Sequence, residues 1–128
     1  MTKSIRASLF RAARAAEDRA YAPYSQFKVG AAVLTASGRI FSSCNVENSS
    51  YGLTICAERV AIFKAVSAGE RKVKAVLIYA GTAKLTPPCG ACLQVISEFS
   101  ENPEIVLSNA RSTKTYRLRE LLPLGFRL

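Results

Sequence analysis

The run from Val73 to Ala80 constrains this chain more than any other feature. Apart from Lys74 it is apolar throughout, and turn-forming residues bound it on both sides. It is too short for a core helix and does not alternate, so it reads as a strand buried on both faces, the usual setting of a parallel strand. Such a strand needs cover on each side. The chain supplies helical segments before and after it. Residues 55–68 read as a helix that Thr54 can cap and Gly69 can close. Thr86-Pro87-Pro88 opens a second helix that runs to about Ser100. Helix, buried strand and helix in succession are the repeating unit of an α/β sheet.

The remaining segments extend the pattern. Ile5, Leu9, Ala12, Ala13, Ala16 and Ala20 share one face at helical spacing, which predicts an amphipathic helix over residues 3–20. Tyr21-Ala22-Pro23-Tyr24-Ser25 breaks it. Residues 28–35 and 39–44 read as a hairpin around Ala36-Ser37-Gly38. A polar loop follows from Asn45 to Leu53. Residues 105–108 read as a short strand, 114–117 as a further one, and 118–122 as a last helical turn. The expected fold is a single α/β domain over residues 1–128, with one mixed sheet covered by helices on both faces. Right-handed crossovers would join the second, third and fourth strands in parallel.

No apolar stretch approaches the roughly 20 residues needed to span a bilayer, and no secretory h-region follows Met1, so the expected compartment is the cytoplasm and no membrane partner is expected. Eighteen Lys and Arg against nine Asp and Glu give a net charge of +9. Such a balance can signal nucleic acid. Here the charges are spread over the first helix, the segment Arg71 to Lys74 and the stretch Arg111 to Arg119, without a block of like charge. They read as solvated faces, and no nucleic-acid partner is expected.

The chain has no histidine. The commonest general base and metal ligand is therefore missing, and any chemistry must run on other groups. Four cysteines remain: Cys44, Cys56, Cys89 and Cys92. Cys56-Ala57-Glu58 stands at the start of one helix flanking the buried strand, and Cys89-Gly90-Ala91-Cys92 at the start of the other. Helix N-termini carry partial positive charge and free N–H groups, which favour thiolates, the metal-binding form of cysteine. Both helix starts are expected beyond the carboxyl end of the sheet, where open α/β sheets bind ligands. Three thiolates leave one tetrahedral position open, the form of a catalytic zinc site.

A lone C-x-x-C is also compatible with a redox pair or with two buried thiols. The wider pattern is more specific. Thirty residues separate Glu58 from Cys89, and the order C-A-E then P-C-x-x-C is the zinc deaminase signature with cysteine as first ligand. Glu58 lies too close to Cys56 to share the tetrahedron easily and can face the open position as a proton shuttle. Its apolar neighbours, Ile55, Ala57, Val60, Ala61 and Ile62, argue against a solvated face. Three thiolates and Zn²⁺ sum to −1, so a positive group should touch the sulfurs. Arg59 is the candidate for that charge compensation, its alternative being an ordinary surface arginine.

The resemblance to a known family runs over nearly the whole chain. Tyr21-Ala22-Pro23-Tyr24-Ser25, Phe27, Val29-Gly30-Ala31-Ala32, Cys44-Asn45-Val46-Glu47-Asn48 and Tyr51-Gly52 resemble segments of the small homotetrameric zinc-dependent cytidine deaminases. So do residues 54–59, Pro88 to Cys92 and the ending Leu121-Leu122-Pro123-Leu124-Gly125-Phe126. The resemblance implies a three-layer α-β-α fold with a mixed five-stranded sheet, and a role in pyrimidine salvage. It implies one zinc per chain on Cys56, Cys89 and Cys92, with Glu58 moving the proton. It further implies that Asn45 and Glu47 bind the ribose 3′-hydroxyl and that Phe27 packs against the nucleoside. The Ala57 N–H would meet the pyrimidine O2, and Phe126 would reach a neighbouring subunit's site in a homotetramer.

On residue chemistry alone Asn45 to Asn48 is equally well a polar turn after a strand. Cys44 lies outside the motif and reads as a buried thiol. Two positions depart from the family pattern. Leu93 stands where an arginine often follows the second cysteine pair, and Pro87 stands where a small polar residue is common. The alternatives are a deaminase of a cytosine-containing antibiotic of the blasticidin type, a polynucleotide deaminase, and a structural zinc module with Cys44 as fourth ligand.

Overall fold

A computed structural model describes residues 1–128. Its elements are α1 (Lys3–Glu17), β1 (Gly30–Thr35), β2 (Ile40–Cys44), α2 (Ala57–Ser67), β3 (Val73–Tyr79), α3 (Gly90–Glu98), β4 (Glu104–Ser108), β5 (Thr113–Arg117) and α4 (Leu118–Leu121). A single 3₁₀ turn, Tyr51–Leu53, interrupts the polar loop before α2.

The five strands form one mixed sheet in the order β2-β1-β3-β4-β5. β1 pairs antiparallel with both β2 and β3, β3 pairs parallel with β4, and β4 pairs antiparallel with β5. The second, third and fourth strands therefore run the same way, as expected. Only β3 and β4 are neighbours, because β1 inserts between β2 and β3. The hairpin keeps β1 beside β2 and leaves one open edge on each strand, and β3 takes the edge of β1.

Alternation along the central strands divides the core in two. Val76 and Ile78 of β3 and Ile105 and Leu107 of β4 pack with Ala57, Ala61, Ile62 and Ala65 of α2 and Leu93 and Ile96 of α3. Ala75, Leu77 and Tyr79 point to the opposite face and meet Leu9 and Ala13 of α1. The layers are thus α1, the sheet, and α2 with α3. Both crossovers, β2–α2–β3 and β3–α3–β4, step in the same direction across the sheet. Crossovers of one hand then place their helices on one face, where α2 and α3 lie side by side. α1 approaches the sheet closely at Gly30, where a Cβ would fall 1.8 Å from the Ala13 carbonyl oxygen.

α1 and α4 start where the sequence places them, at Lys3 and Leu118, but end early, and α2 and α3 are shorter than expected at both ends. α1 is capped by the Thr2 hydroxyl, which accepts from the Ile5 N–H at 3.1 Å, but it ends at Glu17 and not at residue 20. Tyr21 is drawn into an extended bridge with Val46, its N–H donating to the Asn45 carbonyl at 3.0 Å. Thr54 does not cap α2. Its hydroxyl accepts from the Asn48 N–H at 3.2 Å, Ile55 bridges to Val46, and the N-cap passes to Cys56. α3 likewise starts after Cys89, which is its N-cap, and not at Thr86 to Pro88.

Candidate active site and metal centre

The shifted boundaries decide the geometry of the site. Cys56 and Cys89 are both N-cap residues with extended backbone, and neither side chain caps its own helix. Each thiol is therefore free to turn outward at the positive end of a helix. Cys92 lies on the first turn of α3 and is fully buried. The three Sγ atoms lie within 4.8 Å of one another, with Cys56 to Cys89 at 3.9 Å and Cys89 to Cys92 at 3.5 Å. A tetrahedral zinc with Zn–S bonds of ~2.3 Å holds its sulfurs roughly 3.8 Å apart. The donor set and its spacing therefore fit zinc. Cys44 ends β2 and is half-buried, which corrects its reading as a buried thiol, and it is not in the cluster.

The electrostatics favour an anionic cluster. The Cys56 thiol is held well below its ordinary range, to about 5. The main cause is the hydrogen bond from the Cys92 thiol, with the Arg59 guanidinium adding to it against the cost of burial. Cys92 is pushed up for the reciprocal reason, since it holds the proton that the Cys56 sulfur accepts. Arg59 donates from Nη2 to the Cys56 Sγ at 3.6 Å. No carboxylate pairs with Arg59, and its Nε is buried without a hydrogen-bond partner. The sulfurs are thus the anionic partner of a guanidinium that has no other. Leu93 is buried in the core against α2 and the sheet and brings no charge to the sulfurs.

Glu58 sits on the first turn of α2 and is only 4% exposed. Burial raises its pKa to about 6, and the negative charge on Cys56 adds to the rise. A carboxyl poised near neutrality can both take and give a proton. Ala57 is fully buried, and its N–H is among the first of α2, which have no partner within the helix.

Asn45 and Glu47 hold a neighbouring loop. Asn45 is 8% exposed; its Oδ1 accepts from the Val29 N–H at 2.9 Å and its Nδ2 donates to the Phe27 carbonyl at 2.7 Å. The Glu47 Oε1 accepts from the N–H groups of Tyr24 and Ser25 at 2.9 and 3.1 Å, and its Oε2 from the Ser25 hydroxyl. These bonds keep the carboxylate ionised, the Ser25 hydroxyl contributing most. The Ser25 Oγ in turn accepts from the Phe27 N–H at 3.0 Å. The turn and the binding-pair readings are thus compatible, because both side chains fix the segment that carries the exposed Phe27 ring. Ser25 and Tyr24 escaped the sequence reading: they lie more than twenty residues from Glu47, and no local pattern connects them. Phe126 is 67% exposed, with its carbonyl accepting from Gln94 Nε2 on α3 at 2.9 Å.

Comparison with known proteins agrees with this site. Residues 3–108 match the family described as cytidine and deoxycytidylate deaminase zinc-binding region. A cytidine deaminase of Halalkalibacterium halodurans is 45% identical over 123 residues, covering 94% of this chain and 93% of the relative. The crystal structure of a cytidine deaminase from Burkholderia pseudomallei superposes with a TM-score of 0.90 at 45% identity, covering 98% of this chain and all of the other. A blasticidin-S deaminase of Bacillus cereus is more distant, at 31% over 107 residues, or 77% of this chain and 76% of the relative. The thiol cluster, the buried carboxyl beside it and the match over most of the chain lead to one conclusion: this protein belongs to the zinc-binding cytidine and deoxycytidylate deaminase family.

Proposed function

We propose that this chain hydrolyses the C4 amino group of cytidine and 2′-deoxycytidine, releasing ammonia and the corresponding uracil nucleoside, with one zinc held by Cys56, Cys89 and Cys92. The observation that carries the reading is the convergence of three thiols with a buried, near-neutral Glu58 at the N-termini of two adjacent helices. Zinc, when bound, would supply the electrophile that polarises the attacking water. The protein supplies the rest. Glu58 takes a proton from that water and delivers one to N3 of the ring, which makes C4 electrophilic. Glu58 then takes the proton of the new C4 hydroxyl as the C4 carbonyl forms and passes it to the amino group, which leaves as ammonia because NH₂⁻ is not a viable leaving group. Arg59 offsets the charge of the thiolates. The Ala57 N–H binds the pyrimidine O2. Asn45 and Glu47 meet the ribose 3′-hydroxyl, Asn45 through its second Nδ2 hydrogen and Glu47 through a free lone pair. The Phe27 ring packs on the nucleoside.

In the same reading the protein works as a homotetramer in pyrimidine salvage in the cytoplasm, and one domain spans residues 1–128. The exposed apolar side chains Tyr51, Leu53, Phe63, Leu124 and Phe126 are the surface that assembly would cover. Phe126 then completes a neighbour's pocket. No helix is long and apolar enough to cross a membrane. The test is steady-state uridine formation alongside zinc content, with blasticidin S as competing substrate. Uridine formation that is lost with zinc in Cys56→Ala supports the reading. Full zinc occupancy without turnover of cytidine overturns it.

A further inference from the structure

The segment that delivers the second thiol pair is anchored where it could have been left free. After β3 the chain runs from Ala80 to Pro88 without regular structure before Cys89 caps α3. Such a connection is normally mobile and costs little to leave so. Its first four residues are instead tied down from three elements. The Ala80 N–H donates to the Ser108 carbonyl on β4 at 3.2 Å. The Gly81 N–H donates to Glu17 Oε2 at the end of α1 at 2.9 Å. Asn109 Nδ2 then donates to the carbonyls of both Thr82 and Ala83, at 3.0 and 3.3 Å.

Asn109 is 6% exposed and uses its whole amide. Its Oδ1 accepts from the Arg111 N–H at 2.9 Å, the Ser112 N–H at 2.8 Å and the Ser112 hydroxyl at 3.2 Å, which closes the β4–β5 turn. The two halves of one side chain thus do separate work: the oxygen shapes its own turn, and the nitrogen holds a segment six residues before Cys89. Glu17 gives a single bond from the end of α1, whereas the buried Asn109 ties the exposed residues 82–83 to the β4–β5 turn through two bonds.

We infer that Asn109 is a positioning residue for the metal centre, acting through residues 82–83 to set where Cys89 and Cys92 stand relative to Cys56. The inference rests on those three cysteines being the zinc ligands. The three Sγ atoms lie within 4.8 Å of one another, and Cys89 is the first residue after the segment that residues 82–83 begin, so a shift of that segment moves two of the three thiols relative to Cys56. Groups that orient metal ligands from behind typically change affinity or activity by ~10–100-fold when lost.

Asn109→Asp separates the two roles. It keeps every bond that Oδ1 accepts and replaces only the donor, setting a carboxylate oxygen against two carbonyls. Ser112→Ala is the control: it removes a bond within the turn and leaves the donor in place. Zinc affinity is read by chelator competition, ligand geometry by the visible bands of the cobalt-substituted protein, and fold by chemical denaturation of the zinc-free form. The expected result for Asn109→Asp is a roughly tenfold or greater loss of zinc affinity with altered cobalt bands, while Ser112→Ala stays at parent values in both. Parent-like zinc affinity and cobalt bands in Asn109→Asp overturn the inference, as does a loss that Ser112→Ala shows equally or that merely follows global unfolding. Failure of the ligand reading looks different: Cys56→Ala would then retain zinc and the parent cobalt spectrum.

Discussion

Replacing Asn45 with alanine tests whether this residue serves the fold as well as the site. In the structure its amide satisfies two backbone groups, the Val29 N–H at 2.9 Å and the Phe27 carbonyl at 2.7 Å. Val29 is buried, so its N–H would lose its only partner and gain no water. An unsatisfied buried donor costs ~1–3 kcal/mol. Phe27 is more exposed, so water can replace the bond to its carbonyl, and that loss falls to roughly 0.5–1 kcal/mol. Together the substitution should destabilise the protein by about 1.5–4 kcal/mol, lowering Tm by roughly 6–16 °C for a chain of this size. Urea and thermal unfolding at one fixed protein concentration would measure it, because stability depends on concentration in an oligomer. The loop released by the substitution carries Phe27, so KM for cytidine should rise as well. A variant within ~0.5 kcal/mol of the parent would refute the argument, even if its KM rises, because Asn45 would then act on the substrate alone.

Glu58→Gln should retain zinc and nucleoside binding while turning over at least ~10²-fold more slowly, measured as uridine formation with zinc content determined in parallel. Arg59→Leu removes one of the groups that hold the Cys56 thiol down to about 5. Zinc binds the thiolate, so a sulfur whose pKa is held down loses little affinity to protons at pH 6; without Arg59 the Cys56 pKa rises and protons compete more at pH 6 than at pH 8. Chelator competition should therefore show weaker zinc binding in Arg59→Leu, with a larger deficit at pH 6 than at pH 8; an equal deficit at both would show that Arg59 does not tune the sulfur. Truncation after Pro123 should abolish most activity while leaving the far-ultraviolet circular dichroism unchanged. Full activity in the truncated protein would remove Phe126 from the site.

The thiol cluster and the carboxyl beside it are legible in the sequence because each of their signals is local. Cys56-Ala57-Glu58 and Cys89-Gly90-Ala91-Cys92 each lie within one helical turn, and a helix start imposes the same field on a thiol in any fold. The helix starts themselves were placed two to four residues early. Thr54, Pro87 and Pro88 are good local signals for a helix terminus, yet Thr54 is recruited by the Asn48 N–H and Ile55 by a bridge to Val46. Bonds formed across the fold outweigh a cap that is worth only ~1 kcal/mol.

What the sequence determined by itself was the set of elements, the double-sided burial of β3, the absence of histidine and the pairing of each thiol group with a helix N-terminus. All of these follow from composition, period and caps, which act over a few neighbouring residues. Only the tertiary structure decided that β1 lies between β2 and β3, that Glu47 holds Tyr24 and Ser25, and that Asn109 reaches back to Thr82 and Ala83. Each of these joins residues more than twenty positions apart or chooses among open strand edges. Such choices depend on which buried polar groups find partners once the chain is packed, and no single segment carries that information.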